Sequence, residues 1–325
     1  MPLSALGGAI LRPDLAGVVE EAFLMSETYI GPKVLPPMPV GTRGGQYPII
    51  KKNSGNLLRN ETKVRGAGAD YPRIQRQWES DVYTCIEYGI ESIVPDDQVR
   101  DLSRFFDVAA SEIRWDARQL QLAHEIRVQT AIQNTANFNL STSATAYTNA
   151  NLATMDIGYD IDGMKQQIVG RGETVDNLTL VMSLNNFLRA RQSTRLQNRI
   201  RGTVSTDTQL TLDAQAMADA LQVKEVLIGR GSYDTSAQGS TSSSLSQIWN
   251  DTYIWLGRVN NPSGPEQYFN GSVGFTLFWE QDADLFQVET YRQERIRSTI
   301  VRARQYCAEK LVLTTGAQLL ATQYS

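Results

Sequence analysis

"PDDQVRDLSRFFDVAASEIRWDARQLQLAHEIRVQTAIQ", residues 95–133, carries the strongest periodic signal in this chain. Val99, Leu102, Phe106, Ala109, Ile113, Ala117, Leu120, His124, Val128 and Ala131 follow one another by threes and fours, which places them on one face of a helix. Pro95 suits the first helical position, and Asp96 and Asp97 complement the positive end of the helix dipole. The pattern predicts a helix of up to about 40 residues, about 60 Å at 1.5 Å per residue. That is far longer than an ordinary helix, so it is expected to run through its domain as a spine.

Upstream, the chain is irregular. Pro13, Pro32, Pro36, Pro37 and Pro39 interrupt the first forty-odd residues, and such density predicts an extended segment lying on something else. Residues 1–43 are expected to be an arm held only by other subunits. From Gly41 to about Ser80 two strand-like legs, "QYPII" and "RIQRQW", flank the polar middle "KKNSGNLLRNETKVRGAGADYP". A hairpin that long inside a compact domain predicts a functional extension.

Downstream of a polar linker, "DIDGMKQQIVGRG" reads as a helix ended by Gly170 and Gly172, "LTLVMS" as a buried strand, and "LNNFLRARQSTRLQNRI" as a further helix. "TLDAQAMADALQV" is a helix capped by Thr211 or Asp213, and the strand "KEVLIG" follows it. After the Ser/Gly-rich "GRGSYDTSAQGSTSSSLS" the strands "DTYIWLG", "VGFTLFW", "LFQVETY", "STIVRARQYC" and "KLVLTTG" complete an α+β chain with helices and strands in blocks.

Composition excludes several function classes. At 325 residues, 41% hydrophobic and 20% charged, the chain is long enough for two folded domains. A net charge of −4 argues against a protein that coats nucleic acid, since counterion release needs clustered Lys and Arg. No run of eighteen apolar residues predicts a membrane span, and the amino terminus lacks the basic and apolar regions of a signal peptide. Cys85 and Cys307 are read as reduced core thiols.

Chemistry finds little to stand on. A phosphate loop of the form G-x-x-x-x-G-K-[ST] is absent. Gly66 and Gly68 lack the preceding strand and following helix of a dinucleotide site. Gly229 and Gly231 follow a strand, but no helix starts after them. An enzyme handling nucleotides or sugars near Gly229–Thr235 is therefore the weakest of the functional alternatives. With one His and two Cys there is no zinc cluster, and His124, on the apolar stripe, reads as a core imidazole. No cofactor and no catalytic residue is indicated.

The order of elements resembles that of the major capsid proteins of tailed bacteriophages, the Hong Kong 97-type fold. The resemblance rests on the proline-rich arm, the polar hairpin, the lead-in "VYTCIEYGIESIVPDDQV" and the spine. It continues through "IDGMKQQIVGRGETVDNLTLVMSLNNFLRARQSTRLQNRI" and "DAQAMADALQVKEVLIGRGSYDTSA", covering about residues 15–320. It implies an N-terminal arm at 1–43, an extended hairpin loop at 44–78, a peripheral domain at 79–200 and 287–325, and an axial domain at 201–286. It implies a homo-oligomer of pentamers and hexamers, closing an icosahedral shell around double-stranded DNA without sequence-specific binding. The subunit would be made in the host cytoplasm and reside in the virion. No helical extension of roughly a hundred residues precedes the arm, so scaffolding is expected to be separate or unnecessary; portal and cement proteins are further expected partners. A nanocompartment shell around enzyme cargo is the alternative of the same fold. In this frame the Gly66/Gly68 pair serves bending at a hairpin tip.

Charge is unevenly placed. Residues 51–76 carry seven basic side chains (Lys51, Lys52, Arg59, Lys63, Arg65, Arg73, Arg76) against Glu61 and Asp70, while 79–116 carry ten acidic against three basic. The expected inter-subunit contact sets Lys51, Lys52, Lys63, Arg65 and Arg73 of the hairpin against Asp101, Asp107, Glu112 and Asp116 of the spine.

Overall fold

The computed structural model describes residues 10–11, 29–49, 60, 62, 64–66, 68, 70–71, 79–102, 107–201, 213–237, 239–282 and 286–324. Two sheets organise them. The first has the order β1-β13-β14-β12-β2: β1 (Ile10–Leu11), β13 (Gln287–Gln293), β14 (Ser298–Leu311), β12 (Gly274–Trp279) and β2 (Pro37–Val40). β5 (Ile86–Pro95) pairs along the opposite side of β14. The second has the order β6-β15-β11-β7-β8: β6 (Asn139–Thr142), β15 (Ala317–Ala321), β11 (Tyr253–Arg258), β7 (Leu178–Ser183) and β8 (Glu225–Gly229). Two ribbons stand apart, β3 (Gly44–Ile49) with β4 (Glu79–Thr84), and β9 (Ser232–Asp234) with β10 (Leu245–Gln247). The mixture is α+β, as the element order predicts.

The spine is shorter than its periodicity suggests. α1 (Gly31–Val34) precedes it in the chain; Pro95 closes β5, α2 covers Asp96–Leu102, and α3 runs from Val108 to Ile132. Asp107 breaks the continuity: its backbone is extended (φ −77, ψ 110), and its carboxylate accepts the N–H of Ala110 at 3.2 Å as the N-cap of α3. The 25 residues of α3 span about 37 Å, enough to join the two sheets. Ile113 and Ala117 pack with Val94, Val288 and Val301 of the first sheet. Val128 and Ile132 pack with Val181, Trp255 and Leu319 of the second.

The other face of the second sheet carries α4 (Ile157–Gly170), α5 (Leu184–Gln192), α6 (Thr194–Arg201) and α7 (Ala214–Leu221). Ile161, Met164, Phe187, Leu196 and Met217 from these helices cover Leu180, Met182, Ile254 and Leu256. "LTLVMS" is buried at all six positions because both of its faces are covered. The helix expected over "LNNFLRARQSTRLQNRI" is two. Ser193 turns extended (φ −61, ψ 124) and donates its hydroxyl to the Met155 carbonyl at 2.7 Å. Asp213 caps α7 by accepting from Ala216 N at 2.8 Å.

Three further expectations change. The arm is not held by other subunits alone, because residues 29–43 pack into their own chain. Ile30, Val34, Leu35, Met38 and Val40 are buried, each contributing about 1.5–3 kcal/mol, and β2 pairs in parallel with β12. Pro37 and Pro39 are tolerated because an edge strand donates on one side only. The second leg of the long hairpin is Glu79–Thr84, while "RIQRQW" lies outside the described residues. Sheet membership also cuts the chain elsewhere than at 200 and 287. β6, β7 and β15, expected in the peripheral domain, share a sheet with β8 and β11, whereas β12 pairs with β14.

Candidate assembly surface

The single histidine and both cysteines are absorbed by the core. His124 is buried, and its Nε2 lies 3.1 Å from the Thr276 hydroxyl. That hydroxyl donates to the Leu35 carbonyl at 3.0 Å, so it accepts from Nε2–H. Burial, then the nearby Arg127, lowers the pKa of His124 to about 3. Cys85 and Cys307 are free and buried, and burial raises their thiols to about 11 and about 12. Gly229 and Gly231 are packing positions: a Cβ on Gly229 would run into the Trp249 ring, and one on Gly231 would meet Ile248. The strand before Thr235 continues as the β9–β10 ribbon, with no helix start to hold a phosphate.

Gly66 and Gly68 behave oppositely. Both are exposed with open space around them, and Gly68 has φ +85, a turn conformation that suits glycine. They follow from the base of the long hairpin, where Gly44 pairs with Thr84 and Ile49 with Glu79. Val64 and Tyr71 are exposed as well, and Arg65 stacks on Tyr71 (4.5 Å) and donates to its hydroxyl at 3.2 Å. Lys51, Lys52, Lys63 and Arg73 lie outside the described residues.

The acidic stretch 79–116 is less available than its arithmetic suggests. Glu91 accepts from Arg302 at 2.5 Å, and Arg304 lies 3.8 Å from Glu87, which also accepts from the Tyr306 hydroxyl at 2.6 Å. Asp96 is held by Arg292 at 2.5 and 2.7 Å, and this pairing keeps its carboxyl below the usual range. Asp116 is only 2% exposed and faces β5, accepting from Ser92 at 2.7 Å. Burial pushes its pKa up. Of the four expected contact residues, Asp101 and Asp107 are exposed and Glu112 is half-buried, so these three remain accessible.

Two features escape the sequence reading. Trp115 is 59% exposed on the polar face of α3, and its position off the apolar stripe was the available signal. Glu125 is fully buried yet accepts from Ile30 N at 3.1 Å, Gly31 N at 2.5 Å and Trp249 Nε1 at 2.5 Å. It ties the N-terminal segment, the spine and the Trp249 region together. Among the described residues no cluster of His, Cys, Asp or Glu could hold a metal, and no helix is long and apolar enough to cross a membrane.

No protein-family model matches the sequence, and no curated protein does. Solved structures do. A phage-related protein from Bordetella bronchiseptica aligns with 96% of this chain and 97% of its own, at 20% identity and TM-score 0.71. The capsid of the cyanophage P-SCSP1u aligns over 100% and 91%, at 10% identity and TM-score 0.55. A virus-like particle from Pyrococcus furiosus aligns over 95% and 98%, at 8% identity and TM-score 0.56. This chain has the Hong Kong 97-type fold of phage major capsid proteins.

Proposed function

We propose that this chain is the major capsid subunit of a tailed phage. It assembles as pentamers and hexamers into an icosahedral shell that encloses double-stranded DNA without reading its sequence. The observation that carries this reading is the end-to-end alignment with a phage-related protein at TM-score 0.71. The subunit is made in the host cytoplasm and resides in the virion, with portal and cement proteins as its expected partners and scaffolding either separate or unnecessary. Particles isolated from producing cells are treated with nuclease and extracted. Protected double-stranded DNA is the expected result; particles filled with protein cargo and free of DNA would replace this reading by a nanocompartment of the same fold.

Within the shell, the basic hairpin of one subunit lies on the acidic region of its neighbour. Lys51, Lys52, Lys63, Arg65 and Arg73 supply the positive side, and Asp101, Asp107 and Glu112 the negative side. Asp116, turned inward onto Ser92, takes no part in this contact. Each exposed pair contributes about 0–1 kcal/mol, and a closed shell repeats the contact in every subunit.

A further inference from the structure

β4 and β5 form one run from Glu79 to Pro95, interrupted only at Cys85. The N–H of Cys85 donates to the Arg43 carbonyl at 2.8 Å, so odd-numbered residues of this run turn their backbone groups toward β3. On the other side, Asp96 N donates to the Arg297 carbonyl at 3.2 Å, in register with the β5–β14 pairs, so even-numbered residues bond β14. The two bonds agree. β3 ends at Gly44, opposite Thr84, and beyond it no described strand takes the odd side. Glu87, Gly89, Glu91 and Ile93 therefore direct their N–H and C=O groups to an open edge, and all four residues are exposed.

An unpaired edge of this length is a template for another strand. The usual guards are weak here: the register with β14 runs without a bulge from Ile86 to Pro95, and Gly89 has no side chain. The carboxylates of Glu87 and Glu91 are drawn to Arg304, Tyr306 and Arg302. Ile93 is left 57% exposed.

We propose that the open edge of β5, from Glu87 to Ile93, receives a strand from the β3–β4 hairpin of a second copy of this chain. The inference rests on the shell reading above and names where the hairpin seats. Reach and charge select this occupant. Residues 50–78 lie between Ile49 and Glu79, paired neighbours at the hairpin base. A leg of about 14 residues has a fully extended length of about 45 Å. Past Pro95 the same edge leads into α2, where Asp97 and Asp101 are exposed, so a basic strand lying along β5 meets acidic side chains. A symmetric β5–β5 pairing centred on Gly89 is disfavoured, because it would set each Glu87 opposite a Glu91.

Hydrogen exchange read by fragmentation mass spectrometry, residue by residue, tests this on the unaltered protein. In free subunits the amides of Tyr88, Ile90, Ser92 and Val94 exchange slowly, and those of Glu87, Gly89, Glu91 and Ile93 fast. In assembled shells the second set slows at least tenfold, and a stretch within residues 50–78 slows with it. Ile93→Pro removes one outward N–H without touching the β14 ladder; it lowers shell yield at least tenfold, whereas Ile93→Ala does not. Shells whose odd-numbered amides keep their free-subunit rates overturn the strand docking while the shell reading stands. Edge protection without hairpin protection overturns the hairpin as occupant. Failure of the unaltered protein to form shells under any condition overturns the shell reading itself, and this inference with it.

Discussion

Glu125 accepts the indole N–H of Trp249 at 2.5 Å, although the two residues lie 124 positions apart in sequence. The same carboxylate takes the backbone N–H groups of Ile30 and Gly31, and a Cβ on Gly31 would crowd its Oε2 at 2.7 Å. Burial raises the pKa of Glu125, and its three donors pull in the opposite direction. One side chain of the spine thus fixes where the N-terminal segment enters the fold.

Glu125→Gln keeps the shape but turns an amide N–H₂ toward groups that are themselves donors. A buried donor left unsatisfied costs about 1–3 kcal/mol, and the variant is expected to lose at least that much. Urea denaturation checks it: the midpoint falls while the slope is retained. An unchanged midpoint would show that the clasp carries no stability.

Asp116 gives a pH signature. Burial holds its folded pKa above the unfolded value, so its protonated form favours the fold. That contribution is complete below the unfolded pKa, near 3.9, and is lost as pH rises through the folded pKa. Asp116→Asn removes this dependence. Relative to the variant, the natural protein is expected to be weaker at pH 7 than at pH 4. Parallel stability curves for the two proteins would contradict this.

Glycines separate packing from tip. Gly229→Ala forces a methyl into the Trp249 ring and is expected to cost about 1–3 kcal/mol. Gly66→Ala meets open space, and its effect should stay within about 0.5 kcal/mol. Thermal melts of the two variants decide it; equal melting temperatures would refute the packing role of Gly229.

Charge reversal probes the hairpin contact. Lys63→Glu with Arg65→Glu should slow or block assembly while the subunit keeps its melting temperature. Asp101→Lys with Glu112→Lys should restore part of it. Salt should mimic the reversal, because the screening length falls from roughly 10 Å at 0.1 M to 3 Å at 1 M. Assembly followed by light scattering reads all three; normal assembly of the hairpin variant, or no rescue, counts against the contact.

The sequence was most legible where one periodicity governs a whole element. "LTLVMS" and "KEVLIG" became the adjacent parallel strands β7 and β8, and the stripe from Ile113 to Val128 became the buried face of α3. The break at Asp107 was hidden because Leu102, Phe106 and Ala109 carry the helical spacing across it, while a capping Asp is also ordinary within a helix. Asp116 was counted as surface charge although it stands beside Ala117 and three positions after Ile113, on the face that meets β5. Proline density at 36–39 was taken as absence of structure, whereas an edge strand requires donors on one side alone. Sheet membership was least legible. β15, "AQLLA", is short and unremarked, yet it pairs with both β11 and β6, and its partners on β6 lie 179 positions away in sequence.

Electron microscopy of the purified, concentrated protein tests the central claim most directly. Closed icosahedral shells of uniform diameter, built from pentameric and hexameric capsomers, are the predicted result. Discrete small oligomers that never close, at any concentration or salt, would contradict it.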